Sequence, residues 1–130
     1  KDYNVFMDDK NHLSLILLTY KGKVLLMHKT NGPRDEENHP WSFIGESREK
    51  KESFENALAR RVEKEMGIKI ENVEFVSESC YHARLTDENV NNIQRAENQL
   101  LDFFSLKELD KLSLSKLTQQ FLSKLDSLVI

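Results

Sequence analysis

The sequence predicts an α/β (α+β) domain with helices packed on a sheet, and three observations carry that prediction. Two apolar segments flank Lys21-Gly22-Lys23, the arrangement of two strands joined by a tight turn. A capped segment of helical periodicity covers Phe54 to Met66. Strand-like and helix-like segments interleave along the chain instead of separating into blocks.

The elements follow in order. His12 to Tyr20 is dense in Leu, Ile, Thr and Tyr, and Val24 to His28 continues the apolar character after the turn. Thr30 to Pro40 is polar and contains Gly32-Pro33, which predicts a long loop, and loops of that length in small domains often carry function. Trp41 to Ile44 is a short strand candidate ending at Gly45. After the charged run Glu46 to Glu52 comes the helix 54–66, with Ser53 at its N-cap and Gly67 just past its end. Ile68 to Ser79 has strand character, Tyr81 to Asn98 is polar and irregular, and Leu100 to Phe104 is a further strand. Ser105 and Glu108 have capping-box spacing. Leu117, Phe121, Leu125 and Leu128 mark one face of a closing helix over about 115–128.

Composition bounds the function. The chain has 130 residues, enough for one domain (1–130) with its own core. Its 19 basic and 22 acidic residues give a net charge of -3, and a basic excess that would favour nucleic acid is absent. The single cysteine, Cys80, cannot form an internal disulfide, and its spacing to His82 matches no zinc pattern. The longest apolar runs, Leu15 to Leu18 and Val24 to Met27, are too short to span a membrane. No basic segment followed by an apolar one opens the sequence. The expectation is a soluble, reduced, cytoplasmic domain.

On the helix, at about 100° per residue from Phe54, Ala57, Leu58 and Val62 stay near one face, while Arg61 and Glu65 fall on the same stripe with Lys64 at its flank. Taken alone, that pattern is what an ordinary helix end with solvated charges looks like. The flanking residues add to it. Trp41-Ser42-Phe43-Ile44-Gly45, then Glu52, Arg60, Glu65 and Gly67-Ile68, resemble the Nudix box of the pyrophosphohydrolase superfamily, Gx5Ex7REUxEExGU with U aliphatic. Anchored on Gly67-Ile68, the box covers 46–68, with Glu52 as its isolated Glu, Arg60 as its Arg and Val62 in the aliphatic position. The segment Leu100 to Leu109 is similar to the family's later strand and short helix. The resemblance implies an α/β/α sandwich with a mixed sheet, and Mg²⁺ or Mn²⁺ as cofactor.

The box departs from its pattern. Glu46 stands where the opening Gly falls and Ile44 where Pro is frequent. Arg61 replaces the Glu after Arg60, and Lys64 replaces the first of the paired glutamates. In the family those three carboxylates hold the divalent metals, and here Glu65 alone remains. Two unit charges about 4 Å apart interact by about 4 kcal/mol at an effective dielectric of about 20, so reversing two charges impairs the metal site. Glu63 lies about 200° from Arg61 and points away.

The resemblance implies a site made from the Gly45 carbonyl, Glu65 and Glu97, with Glu65 and Glu97 as candidate metal ligands or bases and Glu46 a further nearby acid. Arg61, Lys64 and Arg48, with Lys50 and Lys51, are candidate phosphate contacts. Glu52, Arg60 and Gly67 are expected to be structural, the first two as a salt bridge organising the loop. Trp41 is expected to pack, the four histidines (His12, His28, His39, His82) form no ligand spacing, and Tyr81 is left open.

Three functions fit these residues. One is a pyrophosphohydrolase cleaving a nucleoside diphosphate linked to another group, with an impaired metal site. Another is an inactive module of the same fold that binds a nucleotide through Arg61 and Lys64. The last is a structural protein with a vestigial cleft. Metal-independent phosphate binding separates the second from the first.

Overall fold

Strand β1, Ser14–Tyr20, is apolar on both faces because it lies inside a sheet that is covered on both sides. The computed structural model describes residues 13–29, 40–49, 51–96 and 99–129, with Lys29 through its backbone alone. Within it, Ile16 and Leu18 enter one apolar layer and Leu15 and Leu17 the other, the period of two that a strand imposes. Around β1 stand β2 (Lys23–Lys29), β3 (Ile44–Glu46), β4 (Glu74–Ser77), β5 (Cys80–Arg84) and β6 (Gln99–Phe104).

The sheet order is β4-β5-β1-β2-β6, with β3 pairing to β1 outside that path. It is mixed: β1 runs parallel to β5 and antiparallel to β2 and β3. One edge of β1 is shared. Its end at Thr19 and Tyr20 pairs with β2, while its beginning, Ser14 to Ile16, pairs with β3. The sheet therefore forks between β2 and β3, and a bridge from Met27 to Ser42 joins the prongs.

Helix α1, Phe54–Met66, covers one face of the sheet. Ser53 Oγ accepts the Asn56 N–H at its start, and Gly67, at φ 72°, ends it in the left-handed conformation that glycine adopts without penalty. Leu58, Val62 and Met66 are fully buried against Ile16, Leu18, Leu25, Ile44 and Leu101. Each such side chain contributes about 1.5–3 kcal/mol relative to exposure. The opposite face carries Leu109, Leu114 and Leu125 against Leu15, Leu17, Leu26 and Phe43. Trp41 packs there, stacked on His28 at 5.1 Å and edge-on to Phe104 at 5.0 Å. The result is an α/β/α sandwich.

Four segments differ from their sequence-based expectation. The strand expected over Trp41 to Ile44 lies at Ile44–Glu46, where pairing with β1 selects it, and Trp41 and Ser42 make isolated bridges. The closing helix over 115–128 is broken into α4, Lys116–Gln120, and a 3-10 helix, Leu122–Ser127. Leu122, Leu125 and Leu128 are spaced by three, so a 3-10 helix aligns them on one line toward the same layer. Strand pairing in 68–79 is confined to β4, since Ile70 and Val73 pack on the core from irregular backbone that turns at Asn72 (φ 58°). The polar stretch 81–98 contains β5 and a short helix α2, Asp87–Asn91, whose capping box joins Thr86 to Asn89. A helix α3, Leu106–Leu109, starts at the Ser105–Glu108 capping box.

Candidate functional site

β3 delivers the first site residues. Gly45 sits opposite Leu15, and a Cβ there would come to 2.8 Å from Leu15 Cδ2 and 3.2 Å from the Ser14 carbonyl oxygen. Only glycine allows that approach without a shift. Glu46 follows, its Oε1 accepting the Ser47 N–H at 3.0 Å and its Oε2 lying 3.4 Å from Arg60 Nη1.

Arg60 and Glu52 tie the loop to α1. Arg60 Nε donates to Glu52 Oε2 and Nη2 to Oε1, both at 3.1 Å, a two-point guanidinium–carboxylate pair. Glu52 Oε1 also accepts the Glu49 N–H at 2.9 Å. The Arg60 hydrogen bond, then the Glu49 amide, hold the Glu52 carboxyl below its ordinary pKa. The same pairing with Glu52 raises Arg60.

The next residue, Arg61, forms a second pair with Glu65, one turn further along α1. Arg61 Nε donates to Glu65 Oε2 at 2.7 Å and Nη2 lies 2.5 Å from the same oxygen. Arg61 Nη1 stands 3.8 Å from Glu46 Oε2, so both carboxylates share this guanidinium. The other oxygen, Glu65 Oε1, accepts from Gln99 Nε2 at 2.7 Å. Gln99 was not among the residues expected at the site. Its signal was the period of two in β6, which puts Gln99 on the same face as Leu101, toward α1.

Glu65, Arg61, Gly45 and Glu46 thus come together, with Lys64 exposed beside them. Arg48 does not join them. Its guanidinium lies 5.0 Å over the Phe54 ring, at the other end of α1, about 16 Å from the Glu65 turn along the helix axis. Tyr81 is buried, packed on Phe54 and Phe75. Glu97, Lys50, His12, His39 and the loop 30–39 lie outside the described residues.

A divalent cation does not fit this donor set as arranged. Mg²⁺ needs carboxylate oxygens at about 2.0–2.1 Å, with charge left to receive it. Here Arg61 neutralises Glu65, and Gln99 takes its second oxygen. Among the described residues no group of three His, Cys, Asp or Glu side chains is placed to hold a metal ion.

On the other face of the fork, Gly45 borders a cleft of 380 Å³ lined by Leu15, Phe43, Ser42, Ser115 and Thr118. Its hydroxyls are ordered: Thr118 Oγ1 accepts the Phe43 N–H at 3.0 Å and the Ser115 hydroxyl at 2.8 Å. The cleft is mostly apolar with a few fixed polar groups, the usual make-up of a small-molecule site. No helix among the described residues is long and apolar enough to cross a membrane.

A model of the NUDIX domain matches residues 10–125. No curated protein sequence matches. Among solved structures, a mutT/nudix family protein from Listeria innocua aligns with TM-score 0.67 at 17% identity, covering 92% of this chain and 94% of its own. A structure from a study of MutT of Aliivibrio salmonicida and Vibrio cholerae aligns with TM-score 0.65 at 16% identity, covering 89% and 96%. The Escherichia coli ORF135 protein aligns with TM-score 0.61 at 23% identity, covering 85% and 84%. At these identities the structural likeness is one of fold, and the domain match supplies the family. The mixed sheet between two helical layers and the Glu52–Arg60 pair agree with it, and the chain belongs to the Nudix family of hydrolases acting on phosphoanhydride bonds.

Proposed function

We propose that this protein is a Nudix-type pyrophosphohydrolase for a nucleoside diphosphate linked to another group, with a weakened dependence on Mg²⁺ or Mn²⁺. The observation that carries the reading is the Glu65 carboxylate, oriented by Gln99 beside Glu46, whose neighbour Gly45 borders the cleft. That cleft suits the nucleoside part of a substrate, and Gly45, at its border, is the link from the cleft to Glu46 on β3. Water then attacks one phosphorus in line, forming a P–O bond as the anhydride P–O bond breaks. The leaving phosphate keeps the electron pair, and a carboxylate takes the water proton. Glu65 is one candidate for that carboxylate and Glu97 the other. On this reading Arg61 and Lys64 would offset phosphate charge, and Arg48, at the far end of α1, would meet the distal group of an extended substrate. Net charge -3 argues against nucleic acid as partner. Buried, unpaired Cys80 fits a reducing, cytoplasmic setting.

A second reading, a nucleotide-binding module without turnover, is favoured by the occupation of both Glu65 oxygens by Arg61 and Gln99. One experiment separates the two. Purified protein at near-stoichiometric concentration is incubated with nucleoside diphosphate and dinucleotide compounds, with and without Mg²⁺ or Mn²⁺, beside Glu65→Gln. Products are read by mass spectrometry. Turnover that vanishes in Glu65→Gln supports the hydrolase and names the substrate class. Turnover that survives it removes Glu65 from the site, and none on any compound leaves the binding module.

A further inference from the structure

We propose that Arg61 is the resident cation of this site, and that a divalent ion reaches Glu65 only by displacing the Arg61 guanidinium. The proposal deepens the hydrolase reading, on whose choice of site it rests, by naming what sets the metal requirement.

The geometry is that of a counter-ion in place. Two Arg61 nitrogens converge on Glu65 Oε2, at 2.7 and 2.5 Å, and the third stands 3.8 Å from Glu46 Oε2. Spacing of four along α1 puts the pair side by side, so no rearrangement of backbone is needed to make it. The pair is also sheltered. The Glu65 side chain is 12% exposed, Glu46 19% and Arg61 22%, so water screens them less than it screens surface charges. Lys64, in contrast, is exposed.

A metal ion bound at Glu65 Oε2 would meet the guanidinium at the same oxygen, and two cations cannot share it without strong repulsion. Arg61 cannot leave by losing a proton, because guanidinium stays charged at any physiological pH. Gln99, itself buried, fixes the other oxygen and removes the option of turning the carboxylate away. Arg61 thus bridges Glu65 and Glu46, while Arg60 also reaches Glu46 Oε2 and Gln99 holds Glu65 Oε1, so Arg61 is the cation that stands at Glu65 Oε2. Replacing the Arg61 side chain should free that oxygen.

The test is Mn²⁺ binding to the full chain without substrate, followed by the electron paramagnetic resonance of free Mn²⁺. Wild type is expected to bind weakly. Arg61→Gln should tighten binding about tenfold, and Arg61→Glu, which adds a carboxylate, further still. In Arg61→Gln/Glu65→Gln the gain should disappear. Tight binding by wild type, no gain in a folded Arg61→Gln, or a gain that survives Glu65→Gln overturns the proposal. If Arg61→Gln does not fold, the Arg61 Nε–H resonance of the wild type gives the answer. It stays hydrogen-bonded through a Mg²⁺ titration if Arg61 is the resident cation, and its release at low Mg²⁺ overturns the idea. Because no substrate is present, the outcome is independent of turnover. A chain that hydrolyses nothing yet gains Mn²⁺ affinity through Arg61→Gln refutes the hydrolase reading and keeps this one. A wild-type hydrolase that binds Mn²⁺ tightly does the reverse.

Discussion

Gln99 Nε2 lies 2.7 Å from Glu65 Oε1, tying the first residue of β6 to the last turn of α1. This contact decides where the one remaining box carboxylate of that turn points. Hydrogen bonds to charged groups contribute about 1.5–3 kcal/mol. Gln99 Oε1 is buried with no hydrogen-bond partner among the described residues, which offsets part of that gain. Gln99→Leu is therefore expected to cost about 1 kcal/mol, seen as a lower urea midpoint at unchanged slope.

Gly45 should tolerate nothing larger. Leu15 Cδ2 can rotate away from an added Cβ, but the Ser14 carbonyl oxygen at 3.2 Å belongs to the paired strand. Gly45→Ala is expected to destabilise by about 1–3 kcal/mol, the usual range for forced overpacking, measurable by thermal unfolding. A neutral result would mean that β3 can slide on β1.

The Glu52–Arg60 pair makes a pH-dependent prediction of known sign. Glu52 is held below its ordinary value of 4.5, so its folded form keeps the charge more readily than the unfolded chain does. Its contribution is fully present above 4.5 and is lost as pH falls through the lower folded value. A carboxyl ¹³C titration should give Glu52 a midpoint below 4.5 in the wild type and move it up in Arg60→Met. Glu52→Gln should also speed proteolysis between Glu46 and Ser53, since the loop loses its tie to α1.

His82 predicts the opposite edge of the stability profile. Its ring is buried, Nε2 lies 2.7 Å from Thr19 Oγ1, and Nδ1 lies 3.9 Å from Glu74 Oε1. Burial, then the charge of Arg84, lower its pKa from 6.5, against a smaller upward pull from Glu74. The unfolded chain therefore takes up this proton first, and stability falls as pH drops below 6.5 while staying level above it. Urea midpoints compared between about pH 7.5 and about pH 5.5 should show the loss in wild type and a smaller one in His82→Gln.

The sequence made the fold legible where periodicity and caps agree. β1, β2 and α1 each satisfy an apolar period and a turn or cap signal together, and the box spacing added the family. It was least legible where tertiary pairing overrides local character. β5 looks polar because His82 and Arg84 stand in it, yet parallel pairing with β1 makes it a strand. The C-terminal helix broke because its apolar residues offer both a spacing of four (Leu117, Phe121, Leu125) and one of three (Leu122, Leu125, Leu128), and packing selected the latter at 122–128. At the site, helix spacing placed Arg61 and Glu65 on one stripe. It could not tell an outward-swung arginine from one folded back onto Glu65, which depends on Gln99 and Glu46 from distant strands.

The fork in the sheet has an evolutionary consequence. Met27 and Ser42 bond to each other through both backbone amides, and Trp41 is anchored separately to Ser113 and Ser115. The chain thus departs from β2 and comes back to it at neighbouring points, each held by bonds that do not involve what lies between. The length of chain between Met27 and Ser42 can change at little cost to the bonds that join those two residues, since closure entropy grows only with the logarithm of the number of residues enclosed. A lineage could in this way vary the sequence between the prongs of the fork while β1, α1 and the residues around Gly45 are inherited unaltered.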